Sequence, residues 1–175
     1  MNLEQYNRIH DFFITHSSAF SLLLMANRFL TACGFLLYPL LLLFLLLKGE
    51  LLMLCSFIFI PAICFLIVTI FRKLINKQRP YEKLPIQSLI KKEKKGQSFP
   101  SRHVFSIFLI ATLWFYFWKP IGIFLLIAGI FLAIVRVIGG VHFISDVYAG
   151  AFLGIIAGWI SNYIFLLYLK NQLKI

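Results

Sequence analysis

Three stretches of this chain run for the thickness of a bilayer without a charged side chain. No other feature of the sequence limits the fold as strongly. Residues 29–47, 51–71 and 147–169 cover 19, 21 and 23 positions, and a helix needs about 20 apolar residues to cross the hydrocarbon core. Two shorter runs, 104–118 and 121–135, reach that length once adjoining polar residues join their helices. Lys119-Pro120 parts them, and proline suits the first turn of the helix that follows. Hydrophobic residues make up 61% of the chain and charged residues 13%, against about 45–50% and 25% in soluble domains. That balance excludes a soluble globular domain, a disordered chain and a disulfide-stapled module.

The expected fold is an all-α polytopic membrane bundle of five or six spans, forming one domain over residues 1–175. Residues 1–26 read as an interfacial region and 27–175 as the bundle. Leu3, Tyr6, Ile9, Phe12 and Phe13 recur at helical spacing with polar residues between them, the pattern of one or two helices lying in the membrane surface. A sixth span there is the alternative. No cleavable leader is expected, since residues 1–11 are polar and no short apolar core with a small-residue cleavage site follows. Pro39 and Pro61 predict kinks inside spans. Gly150, Gly154 and Gly158 share one helix face and predict close packing against a neighbour. Cys33, Cys55 and Cys64 lie in apolar runs without metal or redox spacing, and read as small core side chains.

The net charge is +11. With most of the chain in lipid, the expected anions are lipid headgroups or a phosphate-bearing substrate, and not nucleic acid. Ten of the 17 basic residues fall within residues 72–102. The run at 91–95 reads as solvated or touching headgroups. The more informative charges lie at helix ends. Arg72-Lys73 and Arg79-Pro80 close the second span. Pro100-Ser101-Arg102-His103 opens the third, and Arg136, His142 and Asp146 join the fourth to the fifth. Strict alternation of spans puts all three segments on one membrane face.

That inventory suits phosphoryl transfer. Guanidinium groups grip phosphate oxygens in a forked geometry, and free N–H groups at the start of a helix bind anions. One histidine can attack phosphorus while another protonates the leaving oxygen. His142 and Asp146 are four apart, so the carboxylate can hold the imidazole and fix its tautomer. Metal catalysis fits poorly, because the arginines repel a cation and a second carboxylate is missing from the set. Gly139-Gly140 is expected to break the helix and let His142 turn inward. His10 and His16 read as interfacial.

These residues resemble the three signature motifs of the type 2 phosphatidic acid phosphatase superfamily. The first motif is Lys, six residues, then Arg-Pro. Arg79-Pro80 matches, Arg72 stands at the Lys position, and Lys73 is one residue off register. Pro100-Ser101-Arg102-His103 resembles Pro-Ser-Gly-His, with Arg102 where the family has Gly. Arg136, His142 and Asp146 keep the spacing of the third motif, with Val135 in place of its Ser. The resemblance implies that His142 forms a phosphohistidine, Asp146 orients it and His103 protonates the leaving group. It implies that Arg72, Arg79, Ser101 and Arg136 bind phosphoryl oxygens, with Lys73 in reserve and Arg102 as an added contact or an outward side chain. It further implies metal-independent hydrolysis of a lipid phosphate or diphosphate with no cofactor. Undecaprenyl diphosphate is the first choice, and phosphatidic acid or phosphatidylglycerol phosphate the alternative. A non-catalytic lipid-phosphate-binding protein on the same fold is a further alternative. The expected location is the cell membrane, multi-pass, among membrane lipids. The basic-residue count would turn the site to the cytoplasm; the resemblance implies the outer face.

Overall fold

The computed structural model describes residues 3–91 and 95–172. Lys92 to Lys94, within the basic run, lie outside the described residues. The elements are α1 (Leu3–Thr15), α2 (Ser17–Leu47), α3 (Leu51–Ile75), α4 (Pro80–Lys83), α5 (Arg102–Phe117), α6 (Lys119–Ile138) and α7 (Ile144–Gln172). Among the described residues, α2, α6, α7 and the segment beginning with α3 are long and apolar enough to cross a membrane. Most of α2 and α3 faces outward, as do Phe35, Leu47, Leu74 and Trp159. A helix that is apolar all round yet largely uncovered by protein has lipid as its solvent. This is a multi-pass membrane protein.

α5 sits at the centre. Its 16 residues span about 24 Å at 1.5 Å per residue, short of the roughly 30 Å hydrocarbon core. It can be short because it is surrounded by protein. Val104, Phe105, Ile107, Leu109, Ala111 and Leu113 are all nearly inaccessible, and α2, α3, α6 and α7 pack around them. The glycine face of α7 meets α5, as expected. A Cβ at Gly150 would stand 2.6 Å from the Ser101 carbonyl oxygen, and one at Gly154 2.4 Å from that of Phe105. Only hydrogen at these positions lets the two backbones approach so closely.

The N-terminal region divides differently from the sequence expectation. The break falls at His16, and α2 then runs unbroken for 31 residues. Residues 20–26 are therefore the first turns of a span. α1 is a separate helix of 13 residues. Its Phe13 packs against a cluster that includes Leu23 of α2, Ile90 and Val141, which places α1 at the same end of the bundle as the α6–α7 connection.

Both prolines lie inside helices as expected. Pro61 lacks the N–H that would bond the Phe57 carbonyl one turn back. The Tyr38 hydroxyl donates to that carbonyl at 2.7 Å, so α2 supplies the donor that α3 lacks.

Candidate active site

Three helix ends meet on one face. α3 ends at Asn76, whose left-handed backbone (φ +43°) and N–H bond to the Arg72 carbonyl cap it. The chain then turns across the membrane face. Ser98 N–H returns to the Lys77 carbonyl at 2.8 Å. Glu82 accepts from Arg79 N–H at 2.8 Å and from Gly96 N–H at 2.8 and 3.0 Å. The loop therefore lies folded on itself when it reaches Ser101, the residue that caps α5. Ser101 N–H bonds the Asp146 carbonyl at 2.8 Å, tying the start of α5 to the start of α7. α6 stops at Ile138, and Gly140 (φ +71°) reverses the chain. Glycine takes that conformation at no steric cost, and His142 then turns inward, 1% exposed.

The structure brings together Arg72, Arg79, Ser101, Arg136, His142 and Asp146, all buried. Arg102 and His103 are half-buried at the first turn of α5. Lys73 is exposed; it lies about 100° around the helix from Arg72, so register separates two adjacent cations. Arg72, Arg79 and Arg102 lie close enough to repel one another, and Arg136 feels Arg79. Asp146 and Glu82 are the carboxylates set among these cations.

The guanidinium groups are not equivalent. Arg72 donates to the Ser98, Gln97 and Pro100 carbonyls. Arg79 donates from Nε to the Gly96 carbonyl at 3.0 Å and to the Val141 carbonyl at 3.0 Å. These two arginines bind the loop to itself and to the α6–α7 turn. By contrast, Arg136 Nε and Ser101 Oγ are buried with no partner among the described residues. A buried donor without an acceptor costs about 1–3 kcal/mol, which an arriving anion would recover.

Asp146 stands at the third position of α7 and caps it, accepting Phe143 N–H at 3.0 Å. It also accepts from Lys77 Nζ at 2.6 Å and Ser98 Oγ at 2.5 Å. His142 Nδ1 lies 3.7 Å from the carboxylate, beyond hydrogen-bond length, and 3.4 Å from Ser98 Oγ. The Asp146–His142 pair expected from their spacing is thus a longer ionic contact, with Ser98 touching both side chains. Sequence reasoning missed Lys77, Ser98 and Glu82. Lys77 lies inside the first motif and Ser98 two places before Pro100, so position was the available signal.

α1 also reaches this region. Tyr6 is 3% exposed and its hydroxyl has no partner among the described residues. Burial, with the negative charge of Asp146, pushes its pKa up to about 12, so it stays protonated at any working pH.

Beside the site lies an apolar groove of about 750 Å³ between α2, α3 and α5. Leu30, Gly34, Leu42, Ala62, Phe65 and Ile107 line it, and Arg102 and His103 stand in its wall. The Arg102 guanidinium lies 5.7 Å over the Phe65 ring.

Known proteins resemble this chain in fold and in sequence. The structure of LpxE from Aquifex aeolicus superposes with a TM-score of 0.72 at 27% identity, covering 93% of this chain and 94% of that one. A transmembrane PAP2 type phosphatidylglycerolphosphate phosphatase from Bacillus subtilis shares the fold, with TM-score 0.53, 18% identity and 91% of each chain covered. The bacitracin transport permease protein BcrC of Bacillus licheniformis is 32% identical over 99 residues, which are 54% of this chain and 49% of that protein. The match thus spans about half the length of this curated relative. Residues 51–169 match the PAP2 superfamily, and with more than half of its length matched in this way, the chain belongs to that superfamily.

Proposed function

We propose that this protein is a metal-independent membrane phosphatase that hydrolyses a lipid phosphate or diphosphate, with undecaprenyl diphosphate the first candidate. One observation carries the reading: a buried cationic pocket with unspent donors adjoins an apolar groove at Arg102 and His103. A molecule fitting both has a phosphate head and a long apolar tail. The clustered guanidinium charge favours a polyanion, and the Arg102 side chain adds a cation at the groove for a second phosphate. The fixed positive charge around the site comes from Arg72, Arg79, Arg102, Arg136 and Lys77.

In this reading His142 Nε2 attacks phosphorus. The P–N bond forms as the P–O bond to the leaving group breaks, and His103 gives that oxygen a proton. Arg136 and Ser101 bind the phosphoryl oxygens as negative charge shifts between them. Arg72 and Arg79 hold the loop and spend their remaining N–H groups on the same anion. Water then attacks the phosphohistidine, losing its proton to His103, and phosphate leaves. The site faces the outer surface, where a lipid carrier is dephosphorylated, and the C-terminal end of α7 faces the cytoplasm.

The test is phosphate release by purified protein in detergent with chelator present. The panel is undecaprenyl diphosphate, phosphatidic acid, phosphatidylglycerol phosphate and sphingosine phosphate. Turnover of at least one, fastest on undecaprenyl diphosphate and unchanged by chelator, is the expected result. Turnover that chelator abolishes and magnesium restores contradicts the cation-only mechanism. On the same panel, Arg102→Gly is expected to lower kcat/KM about tenfold more for diphosphates than for monophosphates, the scale of one charged hydrogen bond. Equal losses on both would remove Arg102 from headgroup selection.

A further inference from the structure

We propose that Lys77 and Ser98 are positioning residues for His142. In this scheme Ser98 links the imidazole to Asp146, and Lys77 holds the carboxylate's charge in check. The inference rests on the phosphatase reading above and deepens it.

The geometry around Asp146 determines which proton sits where. Oδ2 accepts from Ser98 Oγ at 2.5 Å and Phe143 N–H at 3.0 Å. Oδ1 accepts from Lys77 Nζ at 2.6 Å and Ser145 Oγ at 3.3 Å. A carboxylate only accepts, and a hydroxyl has a single proton. Ser98 therefore spends its proton on Asp146 and presents a lone pair to His142 Nδ1, 3.4 Å away. The proton that completes this contact belongs to Nδ1. That tautomer leaves the lone pair on Nε2, the nitrogen that must attack phosphorus. Once the P–N bond forms, the ring is positively charged, and Asp146 stabilises it through Ser98.

Lys77 sets how strongly. It is not a loose surface lysine: its ammonium also bonds Ser145 Oγ at 3.1 Å and lies 5.2 and 5.0 Å over the Phe99 and Phe143 rings. Other charged or titratable groups face Asp146 from Arg72 on α3, Arg79 in the loop and Tyr6 on α1. Arg102 and His103 stand at the tethered start of α5. Among the described residues, Lys77 is the cation in contact with the carboxylate. Its charge opposes formation of an imidazolium at His142.

The sign follows. Removing the Lys77 charge raises the His142 pKa, and the acid limb of kcat/KM moves to higher pH. The experiment uses full-length protein in detergent and whichever panel lipid the wild type hydrolyses. Lys77→Met is expected to move the acid limb up by about one pH unit, whereas Lys77→Arg leaves it near the wild-type position. Ser98→Ala is expected to lower kcat about 10–100-fold with KM held, and Ser98→Thr to restore most of the loss. A titration of the His142 ring by nitrogen NMR, assigned against His142→Gln, reads the same shift without turnover. An unmoved pKa and limb in Lys77→Met, or wild-type kcat in Ser98→Ala, overturns the inference and leaves the phosphatase reading standing. A wild type that hydrolyses no panel lipid overturns the phosphatase reading and the inference with it.

Discussion

His142→Ala is expected to abolish phosphate release, with a loss of at least about 10⁴-fold in kcat. Covalent transfer has no substitute for its nucleophile, and the side chain is buried where Nδ1 already faces Ser98 and Asp146. The variant should still fold. The turn that carries His142 is held by Arg79 donating to the Val141 carbonyl and by Val141 N–H bonding the Arg136 carbonyl at 3.3 Å. Neither bond uses the imidazole. A monodisperse His142→Ala protein with near-native turnover would remove His142 from the chemistry. His103→Ala is the companion, expected to cost about 10²–10⁴-fold and most for poor leaving groups.

The second large effect separates two arginines that look alike in the sequence. Arg136→Gln should cost about 10²–10³-fold in kcat/KM, the scale of losing one aimed donor from a charged transition state. It should leave thermal stability unchanged or raised, because Arg136 Nε is buried without a partner among the described residues and an uncompensated buried charge is unfavourable. Arg79→Gln should lose activity and stability together. It strips donors from the Gly96 and Val141 carbonyls, at about 2–4 kcal/mol in all, or a Tm lower by roughly 5–10 °C. Activity and melting curves on the two variants decide it. Equal melting losses would mean that Arg136 also holds the loop.

These contrasts mark where sequence legibility ended. The spans could be read because lipid permits little besides long apolar helices. The meeting of three motifs on one face followed from alternation alone. Close packing at Gly150 and Gly154 followed from four-residue spacing, and the reversal before His142 from Gly139-Gly140. The division of labour among the arginines was not legible. Whether a guanidinium meets a carbonyl or an open pocket depends on how residues 96–100 fold back, and spacing carries no record of that. Lys77 was hidden for a similar reason, since a lysine in a basic loop reads as solvated until its partner is placed. Ser98 depended on the turn that sets Ser98 N–H on the Lys77 carbonyl. The boundary drawn at residue 26 falls inside α2, because residues 20–26 are apolar but short. Only their continuity with the next span shows them to be the start of α2.

The central claim is that His142 carries the phosphoryl group between a lipid and water. The most direct measurement is rapid acid-free quenching of the purified protein during turnover of a lipid substrate labelled in the scissile phosphate, with chelator present, followed by peptide mapping. The account predicts an acid-labile label on His142 that appears within one turnover, decays as phosphate is released and is absent from His142→Ala. Turnover with the label on another residue, or without any labelled peptide in a variant slowed at the hydrolysis step, would contradict it.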